Sequence, residues 1–274
     1  MRALVVSAAL CVAASLGFAS VAAADDKIAD VVTALPLFAA SGRTLVVGSD
    51  VAEHERVTTS SVGGGELVFI DGTKLAFGPS ASLNLTKSLM RGDHKFSALG
   101  VTALRGAFRW ISGSSGSQAY ALSTPYGTIG IRGTVLDITV QGGRAYVALL
   151  SGQARVCGAN GCQTLSSACD YVELGGKVSK TKKISAGFRS RAEAARAFPF
   201  MANPGRLSSR FQMGGSSCLS TSFAYNKTPN KIDAVTPPPP PPPPPPPKDC
   251  SGGDDDDDHD HHHHDGHEGH HGHD

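Results

Sequence analysis

The 274-residue sequence has few long hydrophobic runs. After Phe18, no stretch is both long and apolar enough to cross a bilayer, which takes about 20 apolar residues. Residues 1–24 are typical of a secretory signal peptide, because Arg2 precedes a short apolar run and a small-residue cleavage site at 22–24. A retained N-terminal anchor is the alternative. We expect an exported mature chain, periplasmic or secreted, with no transmembrane span.

Motifs of common catalytic sites are also missing. The sequence has no G-x-S-x-G, no H-E-x-x-H and no phosphate-binding loop. Of its eleven histidines, only His54 and His94 precede the proline-rich segment, and both have polar, turn-forming neighbours typical of a protein surface. A Ser-His-Asp triad could still assemble from distant positions. We predict that the protein is not an enzyme.

Aromatic residues are scarce, at 6% of the chain, and they are not interleaved with the basic residues as in nucleic-acid-binding proteins. Residues 25–236 contain 23 Lys and Arg against 14 Asp and Glu, a net charge of +9, whereas residues 248–274 carry a net charge of −9. A basic body with an acidic tail indicates an interaction tail. We expect no nucleic-acid partner.

Short alternating segments separated by turn residues dominate residues 44–156. The most regular are 66–70 and 73–77, joined by Asp71-Gly72, a dipeptide that favours a type I′ hairpin turn. Further strands are predicted at 45–47, 82–86, 106–111, 120–123, 135–140 and 145–150. Many short strands at this spacing predict an all-β fold, either a sandwich or barrel or a strand-stacking solenoid.

Helix signals are few. Residues 26–34 are a candidate for a short helix. Residues 190–198 are a better one, because their interior is rich in alanine and a proline follows. The glycine- and serine-rich residues 113–116 are typical of a flexible loop.

The segment TPYGTIGIRGT places Gly127, Gly130 and Gly133 inside an otherwise apolar run. Glycine weakens a strand, so its presence here indicates a positive φ, a bulge or a close backbone approach at a sheet corner. Arg132 can bind carbonyls or a carboxylate with its planar fork, and Asp137 is one candidate partner.

Five segments within residues 43–157 together resemble the FecR domain. In order they are VGSD, LVFIDGTKLAFGPSASLNL, LRGAFRW, TPYGTIGIRGT and VALLSGQARV. The resemblance implies an all-β periplasmic module. The motif residues, expected to be structural or partner-binding, are Asp71, Gly72, Gly78, Pro79, Thr124, Pro125, Gly130, Arg132, Gly133 and Thr134.

The best-known FecR proteins are transmembrane anti-sigma regulators whose periplasmic part senses an outer-membrane receptor. This sequence departs from that pattern, since we find no cytoplasmic anti-sigma segment, no retained span and no receptor-contacting C-terminal domain. We therefore expect a non-catalytic, exported β-module that binds a protein or envelope partner in signalling or scaffolding.

Five cysteines follow the signal peptide. Cys157 and Cys162 bracket a turn sequence and could form one disulfide; Cys169 with Cys218 would then join the C-terminal extension to the β-domain. Spacing alone leaves three pairings open for four cysteines, and a metal cluster is a further alternative. Cys250 is free or pairs between chains, which would give a covalent dimer.

The C-terminal tail is compositionally disordered and rich in histidine and aspartate. Neutral imidazole suits zinc, nickel and copper, and nearby carboxylates add charge attraction. The candidate ligands are His259, His261, His262, His263, His264, His267, His270, His271 and His273. The alternative is a solvated acidic tail that binds ions only incidentally, or that folds back on the basic body. No cofactor is otherwise required.

These observations predict a five-part organisation. The parts are a signal peptide (1–24), a FecR-like β-domain (25–185), a C-terminal extension with one short helix (186–236), a polyproline spacer (237–247) and the disordered tail (248–274). Eleven prolines extend to roughly 34 Å as polyproline II. An alternative function is a periplasmic metal buffer or chaperone, in which the β-domain is only a carrier.

Overall fold

The computed structural model describes residues 27–213 and 217–220, which are mainly β-strands. The strands are β1 (Lys27–Ala34), β2 (Phe38–Ala40), β3 (Arg43–Thr44), β4 (Asp50–Ala52), β5 (Arg56–Thr59), β6 (Gly65–Phe69), β7 (Lys74–Phe77), β8 (Ser82–Arg91), β9 (Lys95–Ile111), β10 (Tyr120–Thr124), β11 (Gly127–Gln141), β12 (Arg144–Gly158), β13 (Gly161–Leu165), β14 (Asp170–Leu174) and β15 (Lys182–Lys183). The helices are α1 (Ile184–Gly187), α2 (Arg191–Ala197), α3 (Pro199–Ala202) and α4 (Ser217–Ser220).

Hydrogen bonds connect all fifteen strands, and the sheet folds over into two layers because three long strands bend. One layer, the open layer, contains β2, β3, β5, β8, β10 and β13. The other, the covered layer, contains β1, β4, β6, β7, β14 and β15. Strands β9, β11 and β12 contribute one half to each layer.

Each long strand crosses between the layers at a glycine with positive φ. These are Gly106 in β9 (φ 96°), Gly133 in β11 (φ 56°) and Gly152 in β12 (φ 84°). The β11–β12 register shifts between Arg132 and Val135, which marks a bulge at the corner. A Cβ on Gly152 would lie 2.1 Å from the carbonyl oxygen of Gly133, so two backbones touch here.

The core lies between the two layers. Side chains alternate along each strand, so Phe108 and Trp110 point inward together, as their spacing in the sequence indicates. Aromatic rings from the two layers are in contact. The ring centroids of Phe38 and Phe77 lie 5.4 Å apart, and those of Phe69 and Phe96 lie 6.3 Å apart. Such aromatic pairs contribute about 0.5–1.5 kcal/mol each beyond the area that they bury.

The C-terminal extension packs on the outer face of the covered layer. Small residues such as Ala76 and Ala148 leave room on that face, and a second apolar cluster forms there. The ring of Tyr171 on β14 stacks on the Phe188 ring, with centroids 4.9 Å apart. The same ring packs edge-to-face with Phe198, with centroids 6.0 Å apart. Burial raises the pKa of Tyr171 to about 12, so the phenol stays neutral beneath the extension.

The predicted helix at 190–198 is confirmed as α2. The Ser190 hydroxyl accepts a hydrogen bond from the Glu193 amide at 3.2 Å, and the Glu193 carboxylate accepts one from the Arg189 amide at 2.9 Å. This reciprocal capping satisfies amides that have no partner within the helix. The structure adds short helices α1, α3 and α4 beyond the single helix that the sequence analysis places in the extension.

Two local predictions are wrong. The helix predicted at 26–34 is wrong over its described residues, because 27–34 form β1 between β4 and β6, and pairing on both sides outweighs the weak helix preference. Residues 45–47 form no strand: Leu45 is buried, but Val46 and Val47 are 60% and 65% exposed in a turn.

The predicted hairpin at 66–77 is confirmed as β6 and β7, with a different turn. Gly72 has a positive φ of 81°, whereas Asp71 does not. The Gly72 amide donates to the Phe69 carbonyl at 2.8 Å, and the Phe69 amide donates to the Thr73 carbonyl at 2.8 Å. This is a three-residue loop closed by a left-handed glycine, not a two-residue type I′ turn.

Candidate binding site

Asp71, in the β6–β7 loop, is a buried hub of hydrogen bonds rather than a surface turn residue. Its carboxylate accepts the Tyr120 hydroxyl at 2.7 Å and the Ser115 hydroxyl at 2.7 Å. The amide and hydroxyl of Thr73 also donate to it, at 2.9 and 3.0 Å. Burial raises the pKa of Tyr120, and its hydrogen bond to Asp71 raises it further, so Tyr120 remains a donor.

The same hub holds the loop that the sequence analysis interprets as flexible. The amide and hydroxyl of Ser114 donate to the Asp71 carbonyl at 2.9 and 3.0 Å. The Gly113 amide donates to the Thr73 hydroxyl at 3.0 Å. Residues 113–115 are therefore tied to the hairpin through the Asp71 motif residue and Thr73.

Arg109 and Asp137 form a buried ion pair on the outer face of the covered layer. They lie opposite each other on β9 and β11, with side chains 1% and 2% exposed. The guanidinium donates to the two carboxylate oxygens at 2.6 and 2.7 Å and to the Phe211 carbonyl at 3.3 Å. Burial raises the pKa of Asp137, and Arg109 opposes that shift. The pair thus joins the sheet to the extension.

The predicted pairing of Arg132 with Asp137 is wrong. Arg132 is exposed on the open layer, whereas Asp137 lies beyond the corner at Gly133, under the extension. The sequence did contain a signal for the true partner: Arg109 lies between the inward-facing Phe108 and Trp110, so it faces outward, as does Asp137 between two buried apolar neighbours.

The remaining motif residues of β10 and β11 shape turns and corners. The Thr124 hydroxyl accepts the Tyr126 amide at 3.2 Å and donates to the Gly127 carbonyl at 3.2 Å, which closes the turn at the exposed Pro125. Thr134 is buried, and its amide donates to the Ser112 hydroxyl at 3.1 Å. Gly130 is exposed on the open layer.

Gly78 and Pro79 follow the hairpin and reach the edge of a surface groove. The Gly78 amide donates to the Ala107 carbonyl at 2.8 Å, which brings Pro79 beside the corner glycine Gly106. The groove, about 390 Å³ in volume, lies between this corner and helices α2 and α3, and we call it the basic groove. Its apolar lining includes Pro79, Ala107, Ala195, Pro199 and Ala202.

The polar lining of the basic groove carries positive charge. Arg196 and Arg206 line it together with Asn203 and Gln141, and no acidic side chain does. Neither arginine forms an ion pair within the part of the chain that the structure describes. An apolar floor with two unpaired guanidinium groups favours a ligand that has both an apolar surface and a carboxylate.

The two body histidines lie in exposed turns with positive φ, 63° for His54 and 56° for His94. The Nε2 atom of His54 lies 3.2 Å from a carboxylate oxygen of Glu53, and the His54 side chain is 69% exposed. Neither histidine is hydrogen-bonded to a serine or cysteine among the described residues. The geometry therefore brings no nucleophile and base together at these positions.

The structure contains both disulfides that the sequence analysis favours, Cys157–Cys162 and Cys169–Cys218. The first links directly opposed residues of β12 and β13. The second links the start of β14 to the buried Cys218 on α4, so it ties the extension to the sandwich. Disulfides are consistent with an exported protein.

Removing the second disulfide should destabilise the protein more than removing the first. We expect Cys169→Ala/Cys218→Ala to lower the free energy of unfolding by about 2–4 kcal/mol, because this bond restricts a long loop in the unfolded chain. Cys157→Ala/Cys162→Ala, which opens a loop with a sequence separation of 5, is the matched control. Urea unfolding under non-reducing conditions measures both, and a larger loss in the control would contradict the prediction.

Within residues 27–213 and 217–220, no group of three or more histidine, cysteine or acidic residues is arranged to hold a metal ion. The nine tail histidines, Cys250, the polyproline spacer and the signal peptide lie outside those residues. Across the same ranges, no helix is long and apolar enough to cross a membrane.

Comparison with known proteins finds one family model that is similar to part of the sandwich. A family model described as FecR protein matches residues 55–155. Two crystal structures of a proposed anti-sigma factor from Parabacteroides distasonis are similar, with TM-scores of 0.39 and 0.38 and sequence identities of 9% and 8%. Each alignment covers 47% of this chain and 59% of the other, so the chain spans less than two thirds of those structures. No curated protein matches the sequence.

The matched residues contain the features described above. They include the Asp71 hub, the Arg109–Asp137 pair and the three corner glycines. The similarity to the FecR family model therefore covers residues 55–155, which form much of the sandwich.

Proposed function

We propose that this protein is a non-catalytic, exported FecR module that binds a protein or envelope partner in signalling or scaffolding. The basic groove carries the proposal. It lies where two FecR motif segments meet the extension, and it combines an apolar floor with the unpaired Arg196 and Arg206. An acidic segment of a partner protein has the matching chemistry.

The architecture supports a recognition role. The FecR sandwich is held by buried polar links, at Asp71 and at Arg109–Asp137, that leave no titratable group free for catalysis at either place. The extension is fixed on the sandwich by Cys169–Cys218, so the groove between them is preformed. A preformed site loses little entropy on binding.

Site-specific photocrosslinking tests the groove. With a photoreactive residue at position 202, we expect an adduct with an acidic protein of the cell envelope in the organism of origin. Arg196→Gln/Arg206→Gln should abolish the adduct, because the carboxylates lose both guanidinium partners. Arg189→Gln/Arg191→Gln makes the same charge change outside the groove, and the adduct should still form with this variant. Equal loss in both variants, or no adduct at all, would refute a specific groove site.

We further propose that the tail binds divalent transition metals through its nine histidines. Their density, together with ten acidic residues in 248–274, supports several interchangeable sets of ligands for zinc, nickel or copper. The alternative function, a periplasmic metal buffer or chaperone with the FecR domain as its carrier, rests on the same tail. Deletion of 237–274 separates the two, since the groove adduct should survive only if the FecR module binds by itself.

Metal titration gives a direct prediction for the tail. We expect the mature chain to bind several zinc, nickel or copper ions by calorimetry, and a version ending at Thr236 to bind none of them tightly. Affinity should fall as the pH drops through about 6.5, because protonated imidazole cannot bind a metal. Equal binding by both versions would rule the tail out. A melting temperature that shifts with metal would indicate that tail and body are coupled.

A further inference from the structure

The outer face of the open layer carries a row of polar side chains that crosses seven strands. Each member lies directly opposite the next on the neighbouring strand. From β5 to β13 the row is Arg56, Asn84, Thr102, Ser123, Thr128, Cys157 and Cys162. At about 4.8 Å between strands, seven strands extend over roughly 29 Å.

The row faces solvent because its sequence neighbours face the core. Val101, Leu122 and Ile129, each adjacent to a row member, are at most 4% exposed. Hydrogen bonds link members along the row: the hydroxyls of Thr102 and Ser123 lie 2.8 Å apart, and the Arg56 side chain donates to Asn84 at 2.9 Å. The row therefore presents hydrogen-bond donors and acceptors from Arg56 to Thr128, and the Cys157–Cys162 disulfide forms its far end.

A second line runs beside the first and combines small residues with cations. Ala121 and Gly130 are exposed, and neither has a long side chain that would project from the surface between the cationic residues. Lys87 lies opposite Gly100 at one end, and Arg155 lies opposite Gly130 toward the other. We call the two lines, with Arg132 one step beyond Gly130, the polar ledge.

The polar ledge has a net positive charge. Its cations are Arg56, Lys87, Arg132 and Arg155, and the two lines contain no acidic residue. None of the four forms an ion pair within the residues that the structure describes. Two acids flank the end of the ledge at β5 and β8. Glu55 there is bonded to Arg43, and Glu53 accepts the Ser88 hydroxyl.

The ledge also lacks what a peptide or a lipid would require. Neither line carries an aromatic or a large aliphatic side chain, so there is no apolar anchor of the kind that dominates protein interfaces. Hydroxyls, an amide and cations along a shallow strip instead match a linear polymer that offers hydroxyls and carboxylates at regular intervals.

We propose that the polar ledge binds a linear acidic polysaccharide. The sugar carboxylates pair with Arg132 and Arg155, because a guanidinium binds a carboxylate through two parallel hydrogen bonds. The sugar hydroxyls bond to Thr102, Ser123 and Thr128. This site is separate from the basic groove, which lies beside the corner at Gly106 and under helices α2 and α3.

Fluorescence anisotropy with labelled oligogalacturonate, long enough to span the ledge, tests the proposal on the full mature chain. We expect saturable binding that weakens when about 1 M salt shortens the screening length to about 3 Å. Arg132→Gln/Arg155→Gln should weaken binding at least about tenfold, since both charge-assisted contacts are lost. Both side chains are exposed, so a melting temperature close to that of the parent chain would show that the variant is folded.

Two controls decide whether the binding is specific. Arg189→Gln/Arg191→Gln removes the same charge at the helical extension and should change the affinity less than twofold, a difference below about 0.4 kcal/mol. Polyaspartate with the same number of carboxylates should bind more weakly than oligogalacturonate, because it has no hydroxyls for the threonine and serine row. No binding, equal losses in the two variants, or equal binding of polyaspartate would each overturn the proposal, whatever the outcome at the basic groove.

Discussion

Gly152→Ala is expected to lower the free energy of unfolding by at least about 3 kcal/mol, one of the two largest single effects that we predict. The new Cβ would lie 2.1 Å from the Gly133 carbonyl oxygen and 2.9 Å from the Thr134 Cα, and both are backbone atoms that cannot rotate away. The φ of 84° at Gly152 adds a conformational cost for any residue with a side chain.

The β11–β12 turn offers a matched control for this experiment. Gly143 has a φ of 78°, but a Cβ there would meet nothing within 4 Å. Gly143→Ala should therefore lower the free energy of unfolding by only about 1–2 kcal/mol, which is the effect of the left-handed conformation by itself. Gly130→Ala, with normal φ and its nearest atom at 3.7 Å, should be close to neutral.

Chemical denaturation of the three variants measures the difference. If the backbone contact at the corner matters, Gly152→Ala will be far less stable than Gly143→Ala, although both replace a glycine of positive φ. Similar losses in the two would show that the corner relaxes easily, and that the close approach of β11 and β12 does not hold the sandwich together.

Asp137→Leu is the other large effect, and we expect it to lower the free energy of unfolding by about 3–5 kcal/mol. The substitution leaves the Arg109 guanidinium buried without a counter-charge. An arginine side chain stays protonated in proteins, so the charge of Arg109 cannot be neutralised by loss of a proton. The Phe211 carbonyl would remain as a hydrogen-bond acceptor, and the Phe200 ring, 5.9 Å from the guanidinium carbon, would remain as a weak cation–π partner. Neither replaces a carboxylate.

The double variant Arg109→Met/Asp137→Leu separates the cost of an unpaired charge from the value of the pair. We expect it to recover most of the stability lost in Asp137→Leu, because two buried charges are replaced by apolar groups of similar size. A double-mutant cycle measured by urea denaturation checks this. Additive losses would mean that the pair contributes through packing rather than through charge compensation.

Arg109→Met by itself should be milder than Asp137→Leu. The remaining carboxyl can accept a proton, and burial already raises the pKa of Asp137. A folded-state pKa above the unfolded value means that the folded state binds the proton more tightly. The stability of this variant should therefore fall as the pH rises above the ordinary aspartate range, which unfolding curves at several pH values can measure.

Several elements of the sandwich follow from local sequence patterns. Alternating side chains predict the half-buried strand at 82–86, and turn residues at 71–72 predict the hairpin. The motif glycine at 133 predicts a corner. These features depend on steric rules that act within a few residues, such as the two-residue period of a strand and the freedom of glycine at positive φ. The short helix at 191–197 follows in the same way from its alanines and from the proline that comes after it.

Only the tertiary structure decided which side chains pair with each other and which surface residues lie together. Asp137 lies near Arg132 in sequence, but the bend at Gly133 separates them, and cross-strand register brings Arg109 opposite instead. Residues 27–34 became a strand because β4 and β6 offered hydrogen bonds on both sides. The polar ledge exists only after seven strands align, since no local pattern specifies which residues of distant strands lie opposite each other. The sequence by itself thus determined most of the strands, the corner at Gly133 and one short helix. Long-range register decided the ion pair and the polar ledge, and the packing of the extension on the sheet formed the basic groove.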